Sequence, residues 1–225
     1  ATNLKQAWSL QLGGTLTQPV VADGRLFVAS IDRHTLYVAS AETGERLHRF
    51  VAGGRIDSPP TIYKGLALCG SRDGWAYALN AGNGKLVYRF RGAPAERRIV
   101  AFDRLESAWP IHGSILVRDG VAYLTAGRQS FVDGGIFVYA LDPFTGRTLQ
   151  KTQVFSPELQ GIERKEYETD SSRFLVPLSK FYDMPPENLG AVSDILTADG
   201  DLIYMRNLRL DPSDISHPVS QKRQT

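Results

Sequence analysis

The stretch that decides the fold lies at residues 60–90 and reads PTIYKGLALCGSRDGWAYALNAGNGKLVYRF. It contains a short apolar run, a turn at Lys64 and Gly65, two alternating runs, a turn at Asn83 and Gly84, and a closing run. Glycine supplies the positive φ that tight hairpin turns demand, and alternating runs rich in Val, Tyr, Phe and Leu are typical of half-buried strands. The stretch therefore predicts a meander of four antiparallel strands.

The same pattern recurs at residues 19–50 and 113–149, and more weakly at 194–211. Gly24 and Gly65 are 41 residues apart, and Gly44 and Gly84 are 40 apart. This period is typical of four-stranded propeller blades and not of helical solenoids. The sequence thus predicts an all-β fold, a β-propeller of four-stranded antiparallel blades with about three to four blades in an incomplete ring. The expected units within a domain at 1–212 are blades at about 8–54, 55–94, 95–154 and 190–211, a long excursion at 155–189, and a frayed tail at 213–225.

Composition excludes several classes of protein. The chain has 225 residues, with 26 Lys and Arg against 24 Asp and Glu. A surplus of two charges cannot make a phosphate-tracking surface, so we expect no nucleic-acid partner. The apolar runs are too short to cross a bilayer, so we expect no membrane span. No basic-then-apolar leader is present, and we expect any signal peptide or upstream domain to have been removed.

The length also bears on closure of the ring. With a period of about 40, and with the insertions and the excursion subtracted, the chain yields three to four blades, at or below the low end of the ~4–8 in closed propellers. An open arc leaves strand edges unpaired, which native proteins avoid. We therefore expect the remainder of its own chain, or a second copy, to complete the propeller.

Two insertions, at 95–110 and 128–134, depart from the repeat and are dense in polar and aromatic residues. The first carries Arg97, Arg98, Asp103, Arg104, Glu106 and Trp109, with His112 just beyond it. Arginine can hold carboxylates or sulfates in a bidentate way, Trp109 can stack on a sugar or quinone face, and His112 with Glu106 can be an acid/base pair. The alternative is a buried ion-pair network that ties the insertion to its blade.

Hairpin tips of successive blades suggest a second grouping. If these tips gather at one end of the channel, they form a polar ring that is the preferred ligand surface: Arg33, His34, Arg72, Asp73, Arg128 and Asp133. His34 can equally be an ordinary turn residue. Trp75 lies inside a strand and is expected in the core, as is Cys69, the only cysteine, as a small hydrophobe. A metal would need a second histidine near His112, and none is present, so no metal site is predicted.

Residues 73–90 and 139–147 resemble the repeat shared by pyrroloquinoline-quinone (PQQ) dehydrogenases and BamB-like outer-membrane assembly factors. In that repeat a small-residue turn leads to a Tyr-Ala-Leu-Asp strand and then to Thr-Gly. The resemblance covers residues 8–150 well and 190–211 weakly, and 105–113 with 126–135 resemble bacterial PQQ-binding-like repeat proteins. It implies a quinoprotein-like propeller and a periplasmic or extracellular location.

The predicted function is a non-catalytic extracytoplasmic scaffold or a ligand- or protein-binding module, part of a larger protein, with a protein or a carbohydrate as ligand. The alternative is a quinone- or carbohydrate-directed enzyme domain with its site at 97–112 and 128–133. The dehydrogenase pattern includes adjacent cysteines over the cofactor, a calcium ion and an Asp base. PQQ with calcium is the cofactor to consider, but with Cys69 alone no catalytic residue carries over, and we expect no cofactor.

Overall fold

The computed structural model describes residues 5–101, 103–155, 191–206 and 208–218. These residues form four four-stranded sheets and one two-stranded sheet, all antiparallel, and they form no helix. The predicted excursion at 155–189 lies outside the described residues except for Phe155. Among the described residues, no helix has the length and apolar character that crossing a bilayer requires.

Each four-stranded sheet is one blade, and its strands pair in chain order. Blade 1 contains β1 (Val20–Ala22), β2 (Arg25–Ser30), β3 (Thr35–Ser40) and β4 (Arg46–Val51). Blade 2 contains β5 (Thr61–Tyr63), β6 (Leu66–Gly70), β7 (Trp75–Asn80) and β8 (Leu86–Arg91). Blade 3 contains β11 (Leu116–Arg118), β12 (Val121–Ala126), β13 (Ile136–Leu141) and β14 (Thr148–Val154). Blade 4 contains β15 (Thr197–Asp199), β16 (Leu202–Met205), β17 (Leu208–Asp211) and β18 (Asp214–Pro218). Between blades 2 and 3 lies a hairpin of β9 (Arg98–Ala101) and β10 (Arg104–Ser107).

Blade 4 differs from its prediction. The sequence predicted an incomplete blade ending at 211 and a frayed tail from 213, whereas β18 pairs with β17 and completes a four-stranded sheet. The turn between them has no glycine. Instead, the backbone N–H and the hydroxyl of Ser213 both donate to Asp211 Oδ1, at 2.8 and 2.7 Å. An Asp side chain that bonds the backbone two residues on makes such a turn without glycine, so a search for Gly-based turns missed it. Residues 219–225 of the predicted tail lie outside the described part.

The predicted turns between the first two strands are confirmed in blades 1 to 3. Both central residues of each turn have positive φ: 47° and 70° at Asp23 and Gly24, 43° and 80° at Lys64 and Gly65, and 50° and 80° at Asp119 and Gly120. This is the backbone of a two-residue hairpin loop whose twist matches that of the flanking strands. Local turn chemistry thus determines the register of each meander.

The hydrophobic core is divided into three layers, each between consecutive blades. In the layer between blades 1 and 2, Leu36 and Val38 meet Ala67 and Cys69. Cys69 is buried in this layer, which confirms it as a small core hydrophobe, and burial raises the pKa of its thiol to about 12. Alternate residues of the central strands face opposite neighbours, so Tyr37 packs on the other side of blade 1 with Leu12. The described residues therefore form an open arc and no closed ring.

A repeated hydrogen bond fastens each outer strand to the next blade. In each of blades 1 to 3 the side chain that makes this bond lies four residues after the glycine of the turn between strands three and four. It bonds to a backbone carbonyl in the same turn of the following blade. These bonds are His48 Nε2 with Gly82 O at 3.0 Å, Tyr88 Oη to Pro143 O at 2.9 Å, and Gln150 Nε2 to Ser213 O at 3.2 Å. Trp8 makes the equivalent bond to Ala41 O of blade 1, at 3.1 Å. The part of the chain around Trp8 therefore occupies, against blade 1, the place of a preceding outer strand, whereas Thr15 and Thr17 make backbone hydrogen bonds to Ile31 and Ala29 of blade 1 itself.

Candidate functional site

The hairpin of β9 and β10 crosses one end of the arc. At this end lie the loops that join strand four of one blade to strand one of the next, and the turns between strands two and three of each blade. Arg104 Nη2 pairs with Asp32 Oδ1 of blade 1 at 2.8 Å. Arg97 Nη1 pairs with Asp133 Oδ1 of the blade 3 insertion, also at 2.8 Å. The first insertion is thus a strap that spans three blades. We call this end of the arc the loop face.

Glu106, on the inner face of the strap, attaches the strap to the blades through ion pairs. Its side chain is 2% exposed, and it accepts hydrogen bonds from Arg55 Nε at 3.0 Å and Arg128 Nη2 at 2.8 Å. Arg72 Nη1 lies 3.8 Å from the same carboxylate, and Arg72 Nε pairs with Asp57 at 2.6 Å. Burial raises the pKa of Glu106, but the hydrogen bonds from Arg128 and Arg55 and the charge of Arg72 outweigh it, so the pKa is lowered. Glu106 is therefore ionised and enclosed, the geometry of an ion-pair network.

His112 borders this network. Burial and the charge of Arg72 lower its pKa from 6.5 to about 4, so the imidazole is neutral near pH 7. Its Nε2 and the Nε of Arg128 are buried without a hydrogen-bond partner. Both oxygens of Glu106 are held by arginines, so Glu106 and His112 do not form the predicted acid/base pair.

Trp109 was predicted as a stacking platform, and the structure corrects this. The side chain is buried in the core between blades 2 and 3, and its Nε1 donates to the carbonyl of Asp133 at 2.7 Å. A buried indole with its N–H satisfied has no face left for a ligand. Trp109 instead ties the second insertion to the core.

The six residues of the predicted ring are divided among separate contacts. Arg72 and Arg128 join the Glu106 network, and Asp133 pairs with Arg97. Arg33 Nη1 donates to Leu12 O at 3.1 Å, which places it on the segment before blade 1.

The remaining two ring residues, His34 and Asp73, also have local roles. His34 has φ +53°, at the position where blade 2 has Gly74, so it serves the turn. Asp73 accepts from Tyr77 Oη at 2.5 Å and from the backbone N–H of Trp75 at 3.0 Å. Tip residues of successive blades therefore have different local partners.

The loop face also has a cleft that the sequence did not predict as a site. It has a volume of about 310 Å³ and lies between the outer part of blade 2, Gly53 and the strap. Trp75 is one of its lining residues, and the centre of its ring lies 4.3 Å from the guanidinium carbon of Arg89. Further lining residues include Asp73, Arg91, Glu96, Arg97, Arg98 and Ser107. Of the polar residues named in the sequence predictions, Asp73, Arg97 and Arg98 line this cleft.

Sequence reasoning missed Arg55, Arg89 and the position of Trp75. Trp75 does pack partly against the core between blades 1 and 2, as predicted, but it also lines the cleft. A signal for Arg89 existed in the repeat, because pairing of β7 with β8 sets Tyr77 opposite Arg89 and Trp75 opposite Arg91. Cross-strand neighbours on one face can be counted from the turn. No such local signal links Arg55 to Glu106, 51 residues away.

The described residues do not fit a quinone cofactor with calcium. Cys69 is buried between blades 1 and 2 and cannot lie over a cofactor. Among the described residues, no group of three or more His, Cys, Asp or Glu side chains could hold a metal ion.

Comparison with solved structures shows the same fold. A europium-containing methanol dehydrogenase is 18% identical with a TM-score of 0.59, over 92% of this chain and 38% of that one. Quinohemoprotein alcohol dehydrogenase from Comamonas testosteroni is 19% identical with a TM-score of 0.50, over 63% of this chain and 21% of that one. BamB from Moraxella catarrhalis is 16% identical with a TM-score of 0.49, over 66% of this chain and 40% of that one. The chain thus spans between 21% and 40% of the lengths of these proteins.

No curated protein matches the chain. A family model does match, over residues 2–164, which include blades 1 to 3 in full. Its description is outer membrane protein assembly factor BamB. With its four-stranded blades and its repeated turns, the chain belongs to this family of PQQ-like β-propeller proteins.

Proposed function

We propose that the chain is part of a non-catalytic, extracytoplasmic β-propeller that binds a ligand or a partner protein on its loop face. The family match supports a location in the periplasm, where outer-membrane assembly factors act. The observation that carries the proposal is the enclosure of Glu106 by Arg55, Arg72 and Arg128. Glu106 is the best candidate acid or base of the loop face, and its carboxylate is engaged in ion pairs that hold the strap in place.

The other titratable groups of the loop face support the same conclusion. Asp73 is engaged by Tyr77, and Asp133 by Arg97. His112 is neutral near pH 7 because burial lowers its pKa to about 4. A general acid or base needs a pKa near the operating pH and reach to its substrate. A rigid surface crossed by a strap is suited to binding.

The second candidate is a quinone- or carbohydrate-directed enzyme. The fold likeness to two dehydrogenases is compatible with it, although a fold hosts many functions. The test is a thermal-shift titration of the purified protein with PQQ plus Ca²⁺ and, separately, with acidic oligosaccharides, together with a dye-linked alcohol oxidation assay. We expect no turnover and no shift with PQQ and Ca²⁺. A saturable rise in Tm with PQQ and Ca²⁺, or PQQ-dependent turnover, would support the enzyme and contradict the scaffold, since a ligand of the native state must stabilise it.

We further propose that the remainder of its own chain or a second copy completes the ring. The segment at 5–17, which covers one side of blade 1 as an outer strand would, supports this idea. Light scattering distinguishes the two sources, because a dimer indicates a second copy and a monomer indicates the remainder of the chain.

A further inference from the structure

The strap has two chemically different faces. Its strands pair Val100 with Leu105 and Arg98 with Ser107, so these four side chains lie on one face by the alternation of the pleat. Ile99 and Glu106 form a pair on the opposite face, where Ile99 meets the core and Glu106 meets the arginines. On the outer face Val100 is 77% exposed and Leu105 is 61% exposed. Two adjacent apolar side chains are thus held in water on a fixed scaffold.

The cleft begins where this apolar pair ends. Arg98 and Ser107, the pair next to Val100 and Leu105, also line the cleft. The exposed apolar pair and the cleft therefore form one continuous surface along the strap.

The cleft has an excess of cations. Its lining contains four arginines against the two carboxylates Asp73 and Glu96. Arg97 is paired with Asp133, and Arg91 Nε donates to Ala93 O at 3.1 Å. Arg89 is exposed and stacked on Trp75, and it has no carboxylate partner among the described residues. Stacking orients a guanidinium while leaving its N–H edge free, the arrangement that suits bidentate contact with a carboxylate.

We propose that this surface binds an extended acidic segment of a partner protein, with a Glu or Asp carboxylate on Arg89 and Arg98 and an apolar side chain on Val100 and Leu105. The inference rests on the proposed binding function and names its ligand. Charge complementarity selects an acidic ligand. An extended peptide presents residues i and i+2 on one face, as β9 does with Arg98 and Val100, so an acidic and an apolar side chain two residues apart can meet this surface together.

Two observations favour a polypeptide over an acidic saccharide. Arg89 covers the ring of Trp75, so that ring is not free to stack on a sugar. Among the described residues, β9 and β10 form a two-stranded sheet, and the backbone N–H of Ser107 in β10 donates to Arg72 O at 2.9 Å. The edge of β9 is therefore the one to which a peptide can add by main-chain hydrogen bonds.

The test is fluorescence anisotropy with a short labelled peptide in which glutamate and valine alternate at every second position with serine between them, so that both types lie on one face of the extended chain. The peptide is titrated with the full chain at low salt. We expect saturable binding that weakens as salt rises. Arg89→Gln and Arg98→Gln should each weaken binding about tenfold, the effect of losing one charged hydrogen bond. Val100→Ser with Leu105→Ser should weaken it severalfold. Thermal melts of the variants should match the wild type, because all four side chains are exposed.

The matched control is Arg49→Gln. Arg49 pairs with Tyr37 in blade 1 as Arg89 pairs with Tyr77 in blade 2, and it is also exposed, but it is not part of the cleft. Its affinity for the peptide should equal that of the wild type. A peptide with glutamine in place of glutamate should bind at least tenfold more weakly than the acidic peptide.

Equal losses in Arg49→Gln and Arg89→Gln would overturn the proposal, and so would failure of the acidic peptide to bind. Binding of polygalacturonate but not of the peptide, abolished by Arg89→Gln, would instead assign the cleft to an acidic saccharide. These outcomes are separate from the PQQ titration. A protein that neither responds to PQQ nor binds the peptide would contradict only the ligand named here.

Discussion

Glu106 and Glu96 belong to the same strap but have opposite environments. Glu106 is enclosed by three arginines, whereas the side chain of Glu96 is 79% exposed and lies 3.9 Å from Arg98 Nη2. A buried ion pair is costly to break by removing one partner, because the other charge is left without compensation. An exposed pair contributes little. The two residues therefore give a matched comparison.

Glu106→Gln should lower the free energy of unfolding by about 3 kcal/mol, because it leaves the Arg55 and Arg128 charges without their carboxylate. Glu96→Gln should change it by less than about 0.5 kcal/mol. Urea denaturation at pH 7 measures both values. Similar effects of the two substitutions would show that the network does not hold the strap.

The same variant has a pH signature. The pKa of Glu106 in the folded protein lies below its ordinary value of 4.5, so the carboxylate gives its full stabilisation above pH 4.5. That contribution is lost as the pH falls through the lowered pKa. The stability difference between wild type and Glu106→Gln should therefore shrink below pH about 4.5. A difference that stays constant at lower pH would contradict the assignment.

At the scale of the strand, the outer strands show how the blades are joined. His48 and Tyr88 each lie against a turn glycine of the next blade. A Cβ added at Gly84 would lie 2.8 Å from His48 Cβ, whereas a Cβ added at Gly24 would meet nothing within 4 Å. The two glycines have nearly equal φ, +69° and +70°. They differ in packing alone.

Gly24→Ala should cost about 1 kcal/mol, the strain of a left-handed backbone at a residue with a Cβ. Gly84→Ala should cost about 1–3 kcal/mol more, because a Cβ there collides with the outer strand of blade 1. Chemical denaturation of both variants measures the difference. His48→Gly, which removes that Cβ, should cost less in the Gly84→Ala background than in the wild type, and equal costs for the two glycines would rule out the close approach.

At the scale of the whole molecule, the three apolar layers join the blades in series, and the segment at 5–17 adds a cover on blade 1. Leu12 is 6% exposed and packs with Val28 and Tyr37, while Leu16 is 42% exposed. Leu12 therefore supplies buried apolar packing of this segment against blade 1, beside the hydrogen bond from Trp8 to Ala41.

Leu12→Ala should lower the free energy of unfolding by about 2–3 kcal/mol, because it removes buried apolar volume. Leu16→Ala should change it by less than about 0.5 kcal/mol. Thermal and urea denaturation of both variants test this. If Leu12→Ala has no more effect than Leu16→Ala, the segment does not cover the blade.

Much of the fold could be predicted from local pattern. The turns at Gly24, Gly65 and Gly120 and the core position of Cys69 were predicted and are observed. Strand β18 was not predicted, because its turn depends on the side chain of Asp211 in place of a glycine. The candidate site was harder to predict from the sequence. Trp109 and Trp75 both have polar neighbours along the chain, yet Trp109 is buried in the core and Trp75 is partly exposed at the cleft.

The sequence by itself determined the blades, because strand periodicity and turn φ depend on residues a few positions apart. Only the tertiary structure decided which polar side chains are enclosed and which are free. The strap joins Arg104 to Asp32 and Glu106 to Arg55, pairs that are 72 and 51 residues apart. Charges so distant along the chain are brought together by the packing of blades, and no period in the sequence encodes that approach. For the same reason, Arg89, which has no carboxylate partner in the described part of the chain, comes to lie near an exposed apolar pair only when the strap lies across the loop face.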